Sequence, residues 1–223
     1  MTEPWQDAPS LRGPRGERPG WVTDLVDRVA GADAAALSRM TPPPGSMARD
    51  SAVLVLFGQT ESGPDVLLIE RAANLRSHAG QPAFPGGAVD DVDDGPVATA
   101  LREAQEETGL DPAGVRVVRV LPELWLPPSG FAVTPVLGYW SHPVPVGAQD
   151  PREVARAERV RLSDLVDPAN RVTVVHPSGY RGPGFQVADM LVWGFTGMLL
   201  DRLLSLGGWD QPWEHRREVG VPL

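Results

Sequence analysis

Apolar and polar positions along this chain follow two rhythms. Segments 52–57, 66–71, 115–121 and 133–140 are short, rich in Val and Leu, and bounded by Gly, Pro or charged clusters, as β-strands are. The first two flank the polar stretch "QTESGP" (59–64) and read as a hairpin. Helical spacing governs 21–30, where Val22, Leu25, Val26 and Val29 recur on one side, and a second short helix is expected over 34–40. Two longer helices follow. One runs over Pro96–Thr108, entered through Asp94-Gly95 with Pro in the first turn and stopped by Gly109. The other is expected over 187–206, where apolar residues are dense up to Gly207-Gly208. Strands with one helix in their midst and another behind them predict an α/β chain, a mixed β-sheet between helices.

Composition divides the chain into three parts. Residues 1–20 are rich in Pro, Gly and Arg and read as a disordered arm, and "PPPG" at 42–45 reads as a linker. The expected organisation is therefore a largely flexible arm with short helices over 1–48, a domain over 49–206 and a tail over 207–223. The tail is polar but carries Trp209 and Trp213, so it is expected to dock on the core or on a second subunit. No apolar run reaches the roughly 18–20 residues that a membrane span needs, and the first residues lack a leader's apolar stretch. A cytoplasmic location is the expectation.

Charge and missing residue types narrow the chemistry. The net charge is −9 and no basic stripe forms, which argues against nucleic acid as a partner. There is no Cys, so thiolate ligands and nucleophiles are excluded; there is no Lys, so Schiff-base chemistry and a P-loop are excluded too. An anionic substrate must then be met by local Arg or by a bound cation.

Placed on a wheel of about 100° per residue, Pro96–Thr108 turns Val97, Ala100, Leu101, Ala104 and Thr108 to one arc and Glu103, Glu106 and Glu107 to another. Carboxylates one helical turn apart repel, and these crowd the end of the helix where the dipole disfavours anions. Most acidic helix faces are merely solvated. Clustered carboxylate oxygens are also what a hard divalent cation takes. The surroundings favour the second reading: Phe84-Pro85-Gly86-Gly87 is a tight turn able to approach a phosphate or metal, followed by Asp90, Asp91, Asp93 and Asp94.

The whole stretch "GGAVDDVDDGPVATALREAQEETGL" closely resembles the Nudix box, a glycine-led loop followed by a helix reading R-E-apolar-x-E-E-x-G-apolar. Two departures stand out: Asp93 occupies a position usually held by Glu, and the gap to Arg102 is one residue longer. Both look like the coenzyme A pyrophosphatase subgroup, as do "LRSHAGQPAFPGG" (75–87), "VTPVLG" (133–138) and "LVWGFTGMLL" (191–200). The resemblance covers roughly residues 50–206.

That resemblance implies a Nudix-type α/β/α sandwich and a pyrophosphohydrolase dependent on Mg²⁺ or Mn²⁺, cutting coenzyme A or its thioesters to 3′,5′-ADP and 4′-phosphopantetheine. It implies Glu103 and Glu107 as metal ligands, Glu106 as a further ligand, and a backbone carbonyl of Gly86 or Gly87 as another. Arg102 would hold a helix glutamate in place. The general base would be a box glutamate such as Glu106 or a loop glutamate, Glu153 first and Glu158 second. His78 and Gln81 would touch substrate phosphates, and Arg71 and Arg76 the 3′-phosphate. His142, His176 and His215 are expected to be incidental, and Trp193 core. The expected partner is a small coenzyme A-like diphosphate, with the chain a monomer or homodimer. One rival reading keeps the fold and takes ADP-ribose or a similar nucleotide; another is a non-hydrolytic nucleotide-binding regulator, though such domains generally lose box glutamates and this chain keeps all three.

Overall fold

The computed structural model describes residues 18–38, 40, 48–75, 78–127 and 130–221. The chain opens with α1 (Gly20–Val29) and α2 (Ala34–Leu37), then β1 (Arg49–Thr60), β2 (Gly63–Arg71), β3 (Pro82–Ala83) and β4 (Gly86–Ala88). After α3 (Pro96–Thr108) come β5 (Val115–Val120), β6 (Leu124–Leu126), β7 (Phe131–Trp140), β8 (Val154–Arg161) and α4 (Leu162–Val166). Last are β9 (Arg171–Val175), β10 (Arg181–Val187), β11 (Met190–Val192), α5 (Gly194–Gly207) and β12 (Glu218–Gly220).

Among the described residues, eight strands form one mixed sheet: β1 and β2 make the expected hairpin, with Phe57 opposite Val66 and Thr60 opposite Gly63, and β7 lies parallel to β1. Alternation along β1 sends Ala52, Leu54 and Leu56 to α3, with Ala100 and Ala104 against them, and sends Val55 and Phe57 to the opposite core. Both faces are covered, which is why β1 is a nearly unbroken apolar run. The opposite core is closed by α1, α4 and α5. The mixed sheet between helices is as expected.

The second half departs from the sequence reading. The helix expected over 187–206 begins only at Gly194, because Val187 ends β10 and Met190–Val192 forms β11. Ala188 and Asp189 both take positive φ, 49° and 55°, and make the tight turn between them. A short dense apolar run does not distinguish a strand from a helix, so the count of apolar residues misplaced the boundary. Strand β8 was missed because "VARAERVR" is charged; it pairs β2 from Asp65↔Arg161 to Arg71↔Val154 and guards that sheet edge. The second helix stops at Leu37, short of 40.

The ends of the chain are part of the packed body. Val22, Leu25 and Val29 are almost fully buried, so α1, within the segment expected to be largely flexible, packs into the core. Trp21 meets Phe57, Tyr139 and Trp209 edge-on, tying α1 to the sheet and to the tail. The tail docks on the core: β12 lies parallel to β9, and the buried Arg171 sits between the rings of Phe185 and Trp213 while pairing with Asp201. The arm residues 1–17 and most of the Pro-rich linker lie outside the described residues. Among the described residues no helix is long and apolar enough to cross a membrane.

Removing everything before residue 49 would strip Val22, Leu25, Val26 and Val29 from the core. Each such side chain contributes about 1.5–3 kcal/mol by burial, against a total stability of roughly 5–15 kcal/mol for a domain. A chain starting at Arg49 is expected to melt at least ten degrees lower (roughly, by the size scaling of melting temperature) or not to fold. Calorimetry or circular dichroism of the truncated and full chains checks this, and equal melting temperatures would refute it.

Candidate functional site

Two glycines bring the loop after β4 against α3. Strand β4 pairs β1, with Gly86 opposite Val53 and Gly87 opposite Ala52. A Cβ on Gly86 would lie 2.3 Å from the carbonyl oxygen of Ala52, and one on Gly87 would lie 2.5 Å from the carboxylate of Glu103. A side chain at Gly86 would strike backbone, so only glycine fits there, and one at Gly87 would displace the Glu103 carboxylate; the result is a bare backbone laid along the acidic face of the helix.

Arg102 binds loop and helix together. Its Nε and Nη2 donate to the two oxygens of Asp93 at 2.9 and 2.8 Å. Its Nη1 donates to Glu103 at 2.9 Å and to Glu106 at 3.2 Å, and Nη2 also reaches the carbonyl of Ala88 at 3.2 Å. Asp93 in turn accepts from the backbone N–H of Asp90 and from the hydroxyl of Thr99, both at 2.9 Å. These donors, Arg102 first, hold the Asp93 carboxyl well below the usual carboxylate range, and Asp93 raises the Arg102 guanidinium further above its own. The role of Asp93 was missed at the level of sequence; its signal was the box position where Glu is usual.

The three glutamates occupy different surroundings. Glu107 is only 8% exposed and its Oε2 accepts from the N–H of Gly86 at 3.0 Å. Burial, opposed by that hydrogen bond and reinforced by the charge of Glu103, pushes its carboxyl up to about 7. Glu103 is also pushed up by burial, against the pull of Arg102. Glu106 stands 60% exposed on the outer side, touching Arg102. The single acidic arc expected from the wheel is thus split, with Glu103 and Glu107 facing the Gly-Gly loop and Glu106 facing water. Among the described residues no three His, Asp or Glu side chains already form a cage for a metal ion. The donors nevertheless fit a divalent cation: Glu107 is a buried carboxylate that no cation bonds among the described residues, with Glu103 and the side-chain-free backbone of Gly86 and Gly87 beside it.

Two more expected residues face this point. Glu153, exposed in the turn before β8, adds to the negative field at Glu107, while Arg71 at the end of β2 opposes it. Their segments are joined through the bond from the N–H of Ala72 to the carbonyl of Glu153. The Nε of Arg71 is buried without a hydrogen-bond partner. His78 and Gln81 form a pair, Nδ1 to Oε1 at 2.9 Å, in a turn fixed to Arg71 by two backbone bonds. His78 holds a positive φ of 56°, a conformation uncommon outside glycine and asparagine. Arg76 lies outside the described residues.

The runner-up base does not join the group. Glu158 pairs with Arg156 at 3.6 Å and shares its strand face with Val160, which packs in the core opposite α3. His142 bonds Ser141, and His215 packs against Trp213 with the rings tilted by 47°. His176 stacks on Trp193 with ring centroids 5.7 Å apart; Trp193 is half-buried rather than core.

The glycine-led loop, the helix with its clustered glutamates and the arginine that joins them define a class of α/β hydrolase site, and comparison with known proteins names it. The NUDIX domain profile matches residues 47–177, so the chain belongs to the Nudix family. An uncharacterized Nudix hydrolase, NudL, of Cronobacter sakazakii is 41% identical over 167 residues, covering 71% of this chain and 83% of the relative. The protein of the same name in Escherichia coli K12 is 37% identical over 167 residues, with the same 71% and 83% covered. Among solved structures, a Nudix hydrolase from M. smegmatis, RenU, is 20% identical, covering 75% of this chain and 90% of that one with a TM-score of 0.48.

A neutral Glu107 in the folded chain has consequences for the metal-free protein. Its carboxyl ionises near 7 when folded and at its ordinary 4.5 when unfolded. The stability it contributes is therefore full below about pH 4.5 and is lost as the pH rises through about 7. In EDTA the melting temperature is expected to fall by several degrees between about pH 5 and about pH 8, and Glu107→Gln should remove most of that slope while keeping the bond from Gly86. A melting curve series that is flat in the natural protein, or equally steep in Glu107→Gln, would refute the assignment.

Proposed function

We propose that this Nudix hydrolase cleaves the diphosphate of coenzyme A or its thioesters, releasing 3′,5′-ADP and 4′-phosphopantetheine or its acylated form. The observation that carries the reaction class is the buried Glu107, with Glu103 one turn before it on α3, set against the bare backbone of Gly86 and Gly87. What supports the substrate is the resemblance of residues 75–87, together with the His78–Gln81 pair fixed to Arg71 next to that site.

In this reading Glu103, Glu107 and the carbonyl of Gly87 would hold Mg²⁺ or Mn²⁺, with Glu106 as a further ligand. A bound divalent ion supplies a water of lowered pKa and neutralises charge on the diphosphate. The chain supplies the rest. Glu153 takes the proton of the attacking water; it is exposed and lies close enough to influence Glu107. Arg102 is a positioning residue: by binding Asp93, Glu103 and Ala88 it keeps helix and loop at one separation while charge builds on the phosphorus oxygens. His78 and Gln81 meet the phosphates, and Arg71 and Arg76 the 3′-phosphate.

Activity is expected to vanish in excess EDTA and to return with Mg²⁺ or Mn²⁺. Glu107→Gln should lower kcat by on the order of 10³-fold, because a lost ligand removes several kcal/mol of transition-state stabilisation. Glu153→Gln should lower kcat while leaving the metal-induced rise in melting temperature intact. For the substrate, coenzyme A should exceed ADP-ribose and NADH in kcat/KM by about ten- to a hundredfold, the value of one charge-assisted contact to the 3′-phosphate. Product masses under one metal condition decide it. Equal turnover of ADP-ribose would leave the family reaction standing and remove coenzyme A as its substrate.

A further inference from the structure

A cleft of about 680 Å³ opens beside the site, between the end of α1 and the start of α3. It is of the size that holds a small ligand. Its apolar wall is made by Val29 and Ala32 from the end of α1, Val89 from the loop, and Leu121 and Pro122 after β5. Arg119 fastens the two sides, donating from Nη2 to the carbonyl of Ala30 at 2.8 Å. Val89 is itself 40% exposed, a large apolar side chain left facing this space.

The cleft adjoins the carboxylates. Val89 follows Gly87 by two residues, at most about 7 Å of chain, and Gly87 lies against Glu103. A substrate group that leaves Gly87 along the chain toward Val89 therefore has the cleft wall within that distance. On the other side, beyond Glu107, stand Arg71 and the His78–Gln81 turn. The two sides differ in charge. Among the described residues that line it, Asp50 and Glu123 are acidic and Arg119 is basic, so this lining brings no surplus of positive charge for another phosphate. It does offer hydrocarbon walls with hydrogen-bonding groups between them, including the Thr134 hydroxyl. That suits a neutral amide chain with a branched hydrocarbon segment.

We propose that this cleft takes the pantetheine arm of the substrate, so that the diphosphate crosses the site with its 3′-phosphoadenosine end toward Arg71 and its neutral arm between α1 and the loop. The assignment rests on the coenzyme A reading above. It also gives α1, which lies outside the residues matched to the family, a part in specificity.

The test uses the full chain with Mg²⁺ and its two products as separate inhibitors. Ala32→Trp fills the apolar wall from α1. It is expected to weaken inhibition by 4′-phosphopantetheine about tenfold or more and to raise KM for coenzyme A, while inhibition by 3′,5′-ADP stays within about twofold. Ala32→Leu should give a smaller change in the same direction and serves if the Trp variant does not fold. Unchanged inhibition by 4′-phosphopantetheine, or a loss of 3′,5′-ADP inhibition instead, overturns the placement while the coenzyme A reading stands. A natural protein that does not cleave coenzyme A overturns both.

Discussion

The site depends on one guanidinium. Three glutamates within five positions near the end of a helix repel each other and the helix dipole alike, so the arrangement needs a compensating cation inside it. Arg102 provides that, and its planar fork of donors does more than a point charge would. Two donors are taken by Asp93 and others reach Glu103, Glu106 and the Ala88 carbonyl, so the loop is bonded to the helix rather than merely packed on it. The position of the Gly86-Gly87 backbone follows from this clamp on one side and from the pairing of β4 with β1 on the other. Glu107 lies beyond the reach of the clamp. Its charge is left to be met by something the chain itself does not bond to it, which is the physical basis for reading a cation into the site.

The packing behind the sheet serves the same end. Each strand of the β1–β7 pair is covered on both faces, by α3 on one side and by α1 and α5 on the other. Trp21, in contact with Phe57, Tyr139 and Trp209, and Arg171, held between Phe185 and Trp213, pull both ends of the chain onto that second face. With the sheet fixed from behind, the loop that carries Gly86 and Gly87 cannot move away from α3 without breaking strand pairing. Precision at the carboxylates is thus a property of the whole body, including segments that carry none of the proposed catalytic groups.

Much of this was legible in the sequence where signals are local. The β1–β2 hairpin announced itself by two apolar runs around a polar turn, and α3 by Pro96 at its start and Gly109 in the left-handed conformation at its end. What failed to show depended on partners distant in sequence. Strand β8 is charged because it is an edge, and no local pattern says so; β10 and β11 hid in an apolar stretch whose turn, Ala188-Asp189, lacks the glycine that usually marks one. The wheel placed Glu106 with Glu103 and Glu107, yet the loop covers only part of that arc, so burial separates residues that helical angle groups together. Arg71, His78, Gln81 and Glu153 were proposed through resemblance, and the structure joins their segments by backbone bonds that no spacing rule encodes.

Asp93 shows how the two departures from the usual box belong together. An aspartate is one methylene shorter than the glutamate common at that position, so its backbone must approach Arg102 more closely to give the same two-pronged contact. A loop one residue longer allows that approach. The run of four aspartates around it offers several carboxylates of similar reach, but only Asp93 also finds the Asp90 N–H and the Thr99 hydroxyl, which fix its second oxygen while Arg102 takes both. The shorter side chain has fewer rotamers to lose on being fixed, so the clamp is stiffer than a longer carboxylate would make it. Length of loop and length of side chain therefore act together: they set Asp93 against Arg102 and, through Arg102, the Ala88 backbone against Glu103.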